Sequence, residues 1–162
     1  MRTPFKIIAI VGMLGFMVPT LQAEDKPVQL ALFNPIQIFP EGTSITGLRL
    51  NLIYGKNVSV SGLDVGLVNM SSGGTSTGVQ WGFVSVNDGS FVGLQANLVS
   101  IVRGNMEGIQ WSAFNQTGHA SGLQLGLLNM TETMNGVQVG LLNFISKGGF
   151  LPFFPIVNWS FK

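Results

Sequence analysis

The chain is expected to be all-β, a short β-solenoid of about seven coils of near-equal length, closed by capping segments at both ends. Three observations lead there. The unit GLQLGLLN at 122–129 returns as GVQVGLLN at 136–143, and more loosely as GLRLNLIY, GLDVGLVN, GVQWGFVS, GLQANLVS and GIQWSAFN from Gly47, Gly62, Gly78, Gly93 and Gly108. The seven starts are separated by steps of 15, 16, 15, 15, 14 and 14, a near-constant period that marks a repeat architecture and not an enzyme core of unlike elements. Inside each unit apolar and polar residues alternate, as they do along a strand with one apolar face.

Composition sets the outer bounds. The 162 residues suffice for one domain. Apolar residues make up 46% and charged residues only 9%, against about 25% charged in an ordinary soluble domain. Such a surface suits closely stacked backbone, or a chain that meets lipid. Net charge is +1 and no basic cluster exists, which argues against nucleic acid as a partner. The chain has no cysteine, so disulfides, thiolate metal sites, a cysteine nucleophile and a lipidated bacterial N-terminus are excluded.

Residues 1–23 form an expected signal peptide. Arg2 and Lys6 supply the positive region, and Ile7 to Val18 is an apolar run of 12 residues, too short to span a bilayer as a helix. Pro19 breaks the run, and the sequence to Ala23 leads to cleavage before Glu24. Removing Arg2 and Lys6 leaves 6 basic and 7 acidic side chains, so the exported chain is close to neutral.

Residues 24–44 are expected to be an N-terminal cap. The stretch VQLALFNPIQIF alternates like a strand until Pro35 interrupts it, and Pro40 ends it. Proline has no amide donor and belongs on an edge or a cap. Residues 146–162, with Pro152, Pro155 and the final VNWSF, have the same character and are expected to be the C-terminal cap strand. Open strand edges must be covered, or chains pair end to end.

Residues 45–145 are the repeat array. Numbering each unit from its glycine, positions 2, 4 and 6 are apolar and position 3 holds Arg49, Asp64, Gln80, Gln95, Gln110, Gln124 and Gln138. Position 7 is again apolar, position 8 is mostly Asn or Ser, and an apolar residue usually stands two before the next glycine, as at Ile45, Val60, Phe91 and Met106. A chain that bends after position 6 and again at the glycine is expected to point all these apolar residues into one interior. The position-3 residues then form a flat outer face with the Gly and Asn of positions 5 and 8, available for interaction. Position 4 reads Trp81, Ala96, Trp111 in successive units, a large-small-large order expected if equivalent residues stack in register. Arg49 and Asp64 become cross-strand neighbours, a pair worth roughly 0.2–1 kcal/mol. Beyond them the glutamines form one amide ladder and Asn69, Asn115, Asn129 and Asn143 a second, at the bend.

An antiparallel outer-membrane β-barrel of 8–10 strands is the rival. Spanning strands of about 9–11 residues with short turns reproduce the period, and the aromatic ending suits a last barrel strand. Against it, the spacers barely vary, and antiparallel strands present the same motif upside down in alternate units.

Few residues are placed to carry chemistry. His119 is alone in TGHAS, and a single ligand makes no metal site. Asp64, Asp88, Glu107 and Glu132 sit at different places in different units, unlike a paired acid and base; Asp88 belongs to the turn Asn87-Asp88-Gly89-Ser90. Gly73-Gly74 lacks the Lys-Ser/Thr of a phosphate loop. The Asn-x-Ser/Thr sequons at Asn57, Asn69, Asn115, Asn129 and Asn158 arise largely from the repeat's own asparagine. Trp81 and Trp111 are expected in the core; pointing outward, they offer a sugar-stacking or partner surface. No catalytic, cofactor-binding or metal residues are assigned.

The Gly-Leu-Gln-x-Gly-Leu-x-Asn units resemble the exported surface-repeat proteins of several bacterial groups, a family defined by this repeat. The resemblance covers Ile45 to Ile145, with GLRLNLIY, GLQANLVS and GIQWSAFN departing at position 5 or 8. It implies an exported, envelope-associated β protein with no established activity and no functional residues to carry over. The expected function is that of a non-enzymatic structural or interaction protein of the bacterial surface, outer membrane or periplasm. Under the rival geometry it is a membrane barrel acting as a pore or anchor.

Overall fold

The computed structural model describes residues 25–161, and the expected signal peptide lies outside them. The described chain is a β-solenoid of strands β1 (Asp25–Phe33), β2 (Ile36–Gln37), β3 (Ser44–Asn57), β4 (Val60–Ser71), β5 (Thr75–Asn87), β6 (Ser90–Lys147) and β7 (Phe153–Ser160). They hydrogen-bond in the order β2-β1-β3-β4-β5-β6-β7. From β1 through β3, β4, β5 and into β6 every pairing is parallel, which a barrel of antiparallel hairpins cannot produce. The barrel alternative is thereby overturned.

Register follows the repeat. Gly47 pairs with Gly62, Gly62 with Gly78 and Gly78 with Gly93. These glycines have φ between +111° and +138°, and a Cβ on each from Gly62 on would collide with the carbonyl oxygen of the glycine one rung below. Backbone conformation and close approach both demand glycine at position 1. β6 carries the last four units as one continuous ribbon, its glycines at 93, 108, 122 and 136 stacked in the same way. The winding amounts to about five turns, slightly fewer than the seven coils expected.

The caps differ from each other. β1 adds a parallel rung in register with β3, and β2 folds back antiparallel over it. β7 instead closes the other end antiparallel, pairing Gly136 with Ser160 and Val139 with Val157. Pro155 and the positive φ of Ile156 (70°) interrupt the outer edge of β7, which spoils it as a template for another strand. Phe150 stacks on Trp159 with centroids 4.5 Å apart and anchors the loop before β7.

The interior is the reverse of the one expected. Positions 2, 4 and 6 face outward: Trp81, Phe83, Trp111 and Leu141 are all at least 60% exposed. The position-3 residues Arg49, Asp64, Gln80, Gln95, Gln110, Gln124 and Gln138 are buried inside the coil, with the asparagines and serines of position 8. Alternation decides which residues share a face but not which face turns inward. The bore of so short a coil is narrow, and polar amides fit it because each reaches the amide one rung away, at the roughly 4.8 Å strand spacing. The apolar residue two before the glycine does turn inward: Phe91 and Met106 cluster with Val102, and Ala120 and Met134 with Ile145, the last of each set coming from position 10.

Candidate functional site

The buried polar column explains what the outer face is free to do. Arg49 donates from Nε and Nη2 to the two carboxylate oxygens of Asp64, both at 2.7 Å, and from Nη1 to the Met70 carbonyl at 2.8 Å. Asp64 accepts a third bond, from Gln80 Nε2 at 2.7 Å. From there the glutamines hand on one orientation: Gln95, Gln110, Gln124 and Gln138 each donate from Nε2 to the Oε1 of the preceding one, at 2.6 to 2.9 Å. All the amide donors point toward the N-terminal end, where the Asp64 carboxylate receives the first of them.

The asparagine ladder runs the opposite way. Asn51 donates to Asn69, Asn115 to Asn129 and Asn129 to Asn143, each at 2.8 Å and each toward the C-terminal end. The two rows of amide dipoles therefore run in opposite directions, the asparagine row being interrupted at Ser85 and Ser100. Position 5 makes the room: a Cβ on Gly126 would meet Asn115 Nδ2 at 2.8 Å and Asn129 Oδ1 at 3.0 Å. Where position 8 is Ser, position 5 can be polar, as at Asn97, which accepts from Ser85 and donates to Ser100. Ser112, also at position 5, bonds the Ser100 hydroxyl at 2.6 Å, and the restriction of position 5 to Gly, Ser or Asn in every unit was the signal in the sequence that these residues pack inside.

The interaction face expected on Arg49, Asp64, Gln80, Gln95, Gln110, Gln124 and Gln138 is therefore not a surface. Their polar atoms face one another, and no partner reaches them without unwinding the coil. The sequons at Asn69, Asn115, Asn129 and Asn158 have their side chains buried too, and so does Asn57.

The accessible feature is the face those residues leave outside. Positions 2, 4 and 6 present an apolar sheet with no charged side chain from β3 to the end of the repeats. A shallow groove follows the solenoid axis between the position-4 and position-6 columns, floored by position 5. At the N-terminal end it opens to about 650 Å³ between the β2 turn (Ile36, Ile38) and Leu30, Leu32, Leu50 and Leu52. It continues for about 290 Å³ past Leu67, Trp81 and Phe83. Then comes a slot of about 250 Å³ whose walls are Trp81 and Trp111 and whose floor is Ala96. Trp81 and Ala96 are register partners in parallel strands, so the large-small-large order is a true stack. It stands outside the coil instead of filling it.

Charge is kept to the opposite edge. Asp88 pairs with Arg103 one rung on, Glu132 lies 3.9 Å from Lys147, and His119 Nδ1 shares a hydrogen bond with Thr133 Oγ1 at 2.8 Å. Near the N-terminal cap, Lys56 lies 3.1 Å from Glu41. The Lys56 hydrogen bond, seconded by Asn34, holds the Glu41 carboxyl below the usual carboxylate range; the same bond raises Lys56. Among the described residues no three His, Cys, Asp or Glu side chains gather as a metal site. Searches of protein-family models, curated proteins and solved structures found no match to this chain.

Proposed function

We propose that this is a non-enzymatic structural or interaction protein of the bacterial envelope, exported by its signal peptide and acting through its apolar outer face. The observation that carries the reading is the contiguous apolar sheet of positions 2, 4 and 6. The largest apolar patch on an ordinary monomer is about 300–600 Å², and patches beyond that mark interaction sites. Taking about five strand residues of 3.3 Å and seven rungs of 4.8 Å, this face covers on the order of 600 Å² before side-chain relief is counted. The sealed amide columns supply rigidity, and the charged edge of Asp88, Arg103, Glu132 and Lys147 keeps the other side in water.

Expression of the full chain in a Gram-negative host, with cell fractionation and N-terminal sequencing, tests this reading. The expected product begins at Glu24 and is recovered with the envelope or periplasm. Replacing Leu98, which is 52% exposed, by Glu should weaken envelope or partner association and leave the far-UV circular dichroism unchanged. A chain retained in the cytoplasm and still carrying Met1 to Ala23 would overturn the proposal.

A further inference from the structure

We propose that the partner of the apolar face is a second copy of the same chain, packed face to face and antiparallel, with Trp81 of each copy filling the slot of the other. This rests on the reading above that the apolar face is the working surface, and names its occupant.

The position-4 column carries the argument. From the N-terminal cap onward it reads Leu30, Leu50, Val65, Trp81, Ala96 and Trp111, followed by Leu125 and Val139 in the last two units. Trp81 and Trp111 stand two rungs apart, about 9.6 Å at the strand spacing, over the small side chain of Ala96. A single aromatic ring entering midway lies about 4.8 Å from each wall, within the 4.5–7 Å centroid range of aromatic pairs.

The only large rings on the column are the two tryptophans, and a two-fold axis satisfies both. Let it run parallel to the strands, in the plane of contact, midway between the Trp81 and Ala96 rungs. Trp81 then faces Ala96 of the second copy, and Trp111 faces its Val65. Further out, Leu50 faces Leu125 and Leu30 faces Val139. Each tryptophan meets a small side chain, leucine meets leucine or valine, and no two large rings share a level. The four tryptophans interleave as one stack, alternating between copies. The same axis lies close to the middle of the solenoid, so the two copies overlap along nearly their whole length.

The area suffices. An isologous dimer of standard size buries about 800 Å² per copy. Side chains such as Trp81, Trp111 and Leu127, each about 60% exposed, bring the flat estimate of about 600 Å² up to that mark. Sheets packed this way lie about 10 Å apart, the depth of two interdigitated side-chain layers. No charged group stands on the contact surface to oppose it.

Sedimentation velocity of the purified protein, from about 0.1 to 100 µM (the Kd range of ordinary transient and stable dimers), is the primary test, and the expected species is a dimer. Ala96→Trp fills the slot and should render the chain monomeric throughout that range. Trp81→Ala removes one hot spot from each copy and should weaken the dimer about a thousandfold. Both positions lie outside the coil, so circular dichroism should stay that of the parent; should Ala96→Trp disturb the fold, Trp81→Ala alone carries the test. A monomer at every concentration, or a dimer indifferent to both substitutions, overturns the proposal. Co-sedimentation with phosphatidylethanolamine–phosphatidylglycerol vesicles separates the two readings. A monomer that binds vesicles through this face refutes the second copy and leaves the apolar working surface standing. A monomer that binds neither refutes both.

Discussion

Replacing Gln110 by Met tests the amide ladder, because methionine keeps the length and bulk of glutamine and deletes only its amide. Gln110 sits mid-ladder and fully buried. Its Nε2 donates to Gln95 Oε1 at 2.9 Å, and its Oε1 accepts from Gln124 Nε2 at 2.7 Å and from Thr117 Oγ1 at 2.9 Å. In the variant Gln95 Oε1 has lost its donor and the Thr117 hydroxyl its acceptor, whereas Gln124 Nε2 keeps Thr117 Oγ1 at 3.0 Å. Two buried groups are orphaned at about 1–3 kcal/mol each, so the expected loss is about 4 kcal/mol. For a chain of this size that lowers the thermal midpoint by roughly 10 °C. Gln138→Met is the internal control, since Gln138 ends the ladder and its own Oε1 already lacks a partner. There Gln124 Oε1 and the Phe144 carbonyl lose the Nε2 donor, at 2.8 and 3.1 Å, but the already unpaired oxygen goes with the substitution, so the net is one orphaned group and the expected loss about 2 kcal/mol. Urea unfolding followed by circular dichroism measures both. Equal losses at the two sites, or a Gln110→Met chain as stable as the parent, would refute the idea that serial amide bonding specifies the interior.

Three further outcomes rest on the same geometry. Gly126→Ala drives a Cβ into the Ser112 carbonyl and should cost more than about 2 kcal/mol, whereas Gly73→Ala, with open space around it, should stay within about 0.5 kcal/mol; unfolding midpoints compare them. Arg49→Ala leaves the Asp64 carboxylate buried without its bidentate partner and should cost about 3–5 kcal/mol, again by urea unfolding. The Glu41 carboxyl should titrate below the ordinary glutamate value by NMR and return toward it in Lys56→Ala. Because its folded value is depressed, whatever it contributes to stability is present above the unfolded value and lost as pH falls through the folded one. Lys56 has the opposite sign: its contribution is present below the unfolded lysine value and lost as pH rises through the raised folded one.

The near-constant period marked a repeat array and favoured parallel stacking of equivalent residues, Trp81 over Ala96 included, but a barrel of antiparallel strands reproduces the same spacing. The parallel pairing from β1 into β6 decided between them. Proline in both flanks likewise marked the ends, although the parallel fit of β1 and the antiparallel closure by β7 belong to the structure. What the linear pattern left undecided was inside and outside. Alternation is symmetric between the two faces of a strand, and hydrophobicity, the usual guide, pointed Leu, Val and Trp inward. Tertiary structure reversed this because the coil is too narrow to house two layers of large side chains, while stacked amides satisfy themselves at the strand spacing and glycine at position 5 lets asparagine fold beneath it. Positions 2, 4 and 6 read as core and position 3 as the interaction face; only the winding of the chain exchanged the two.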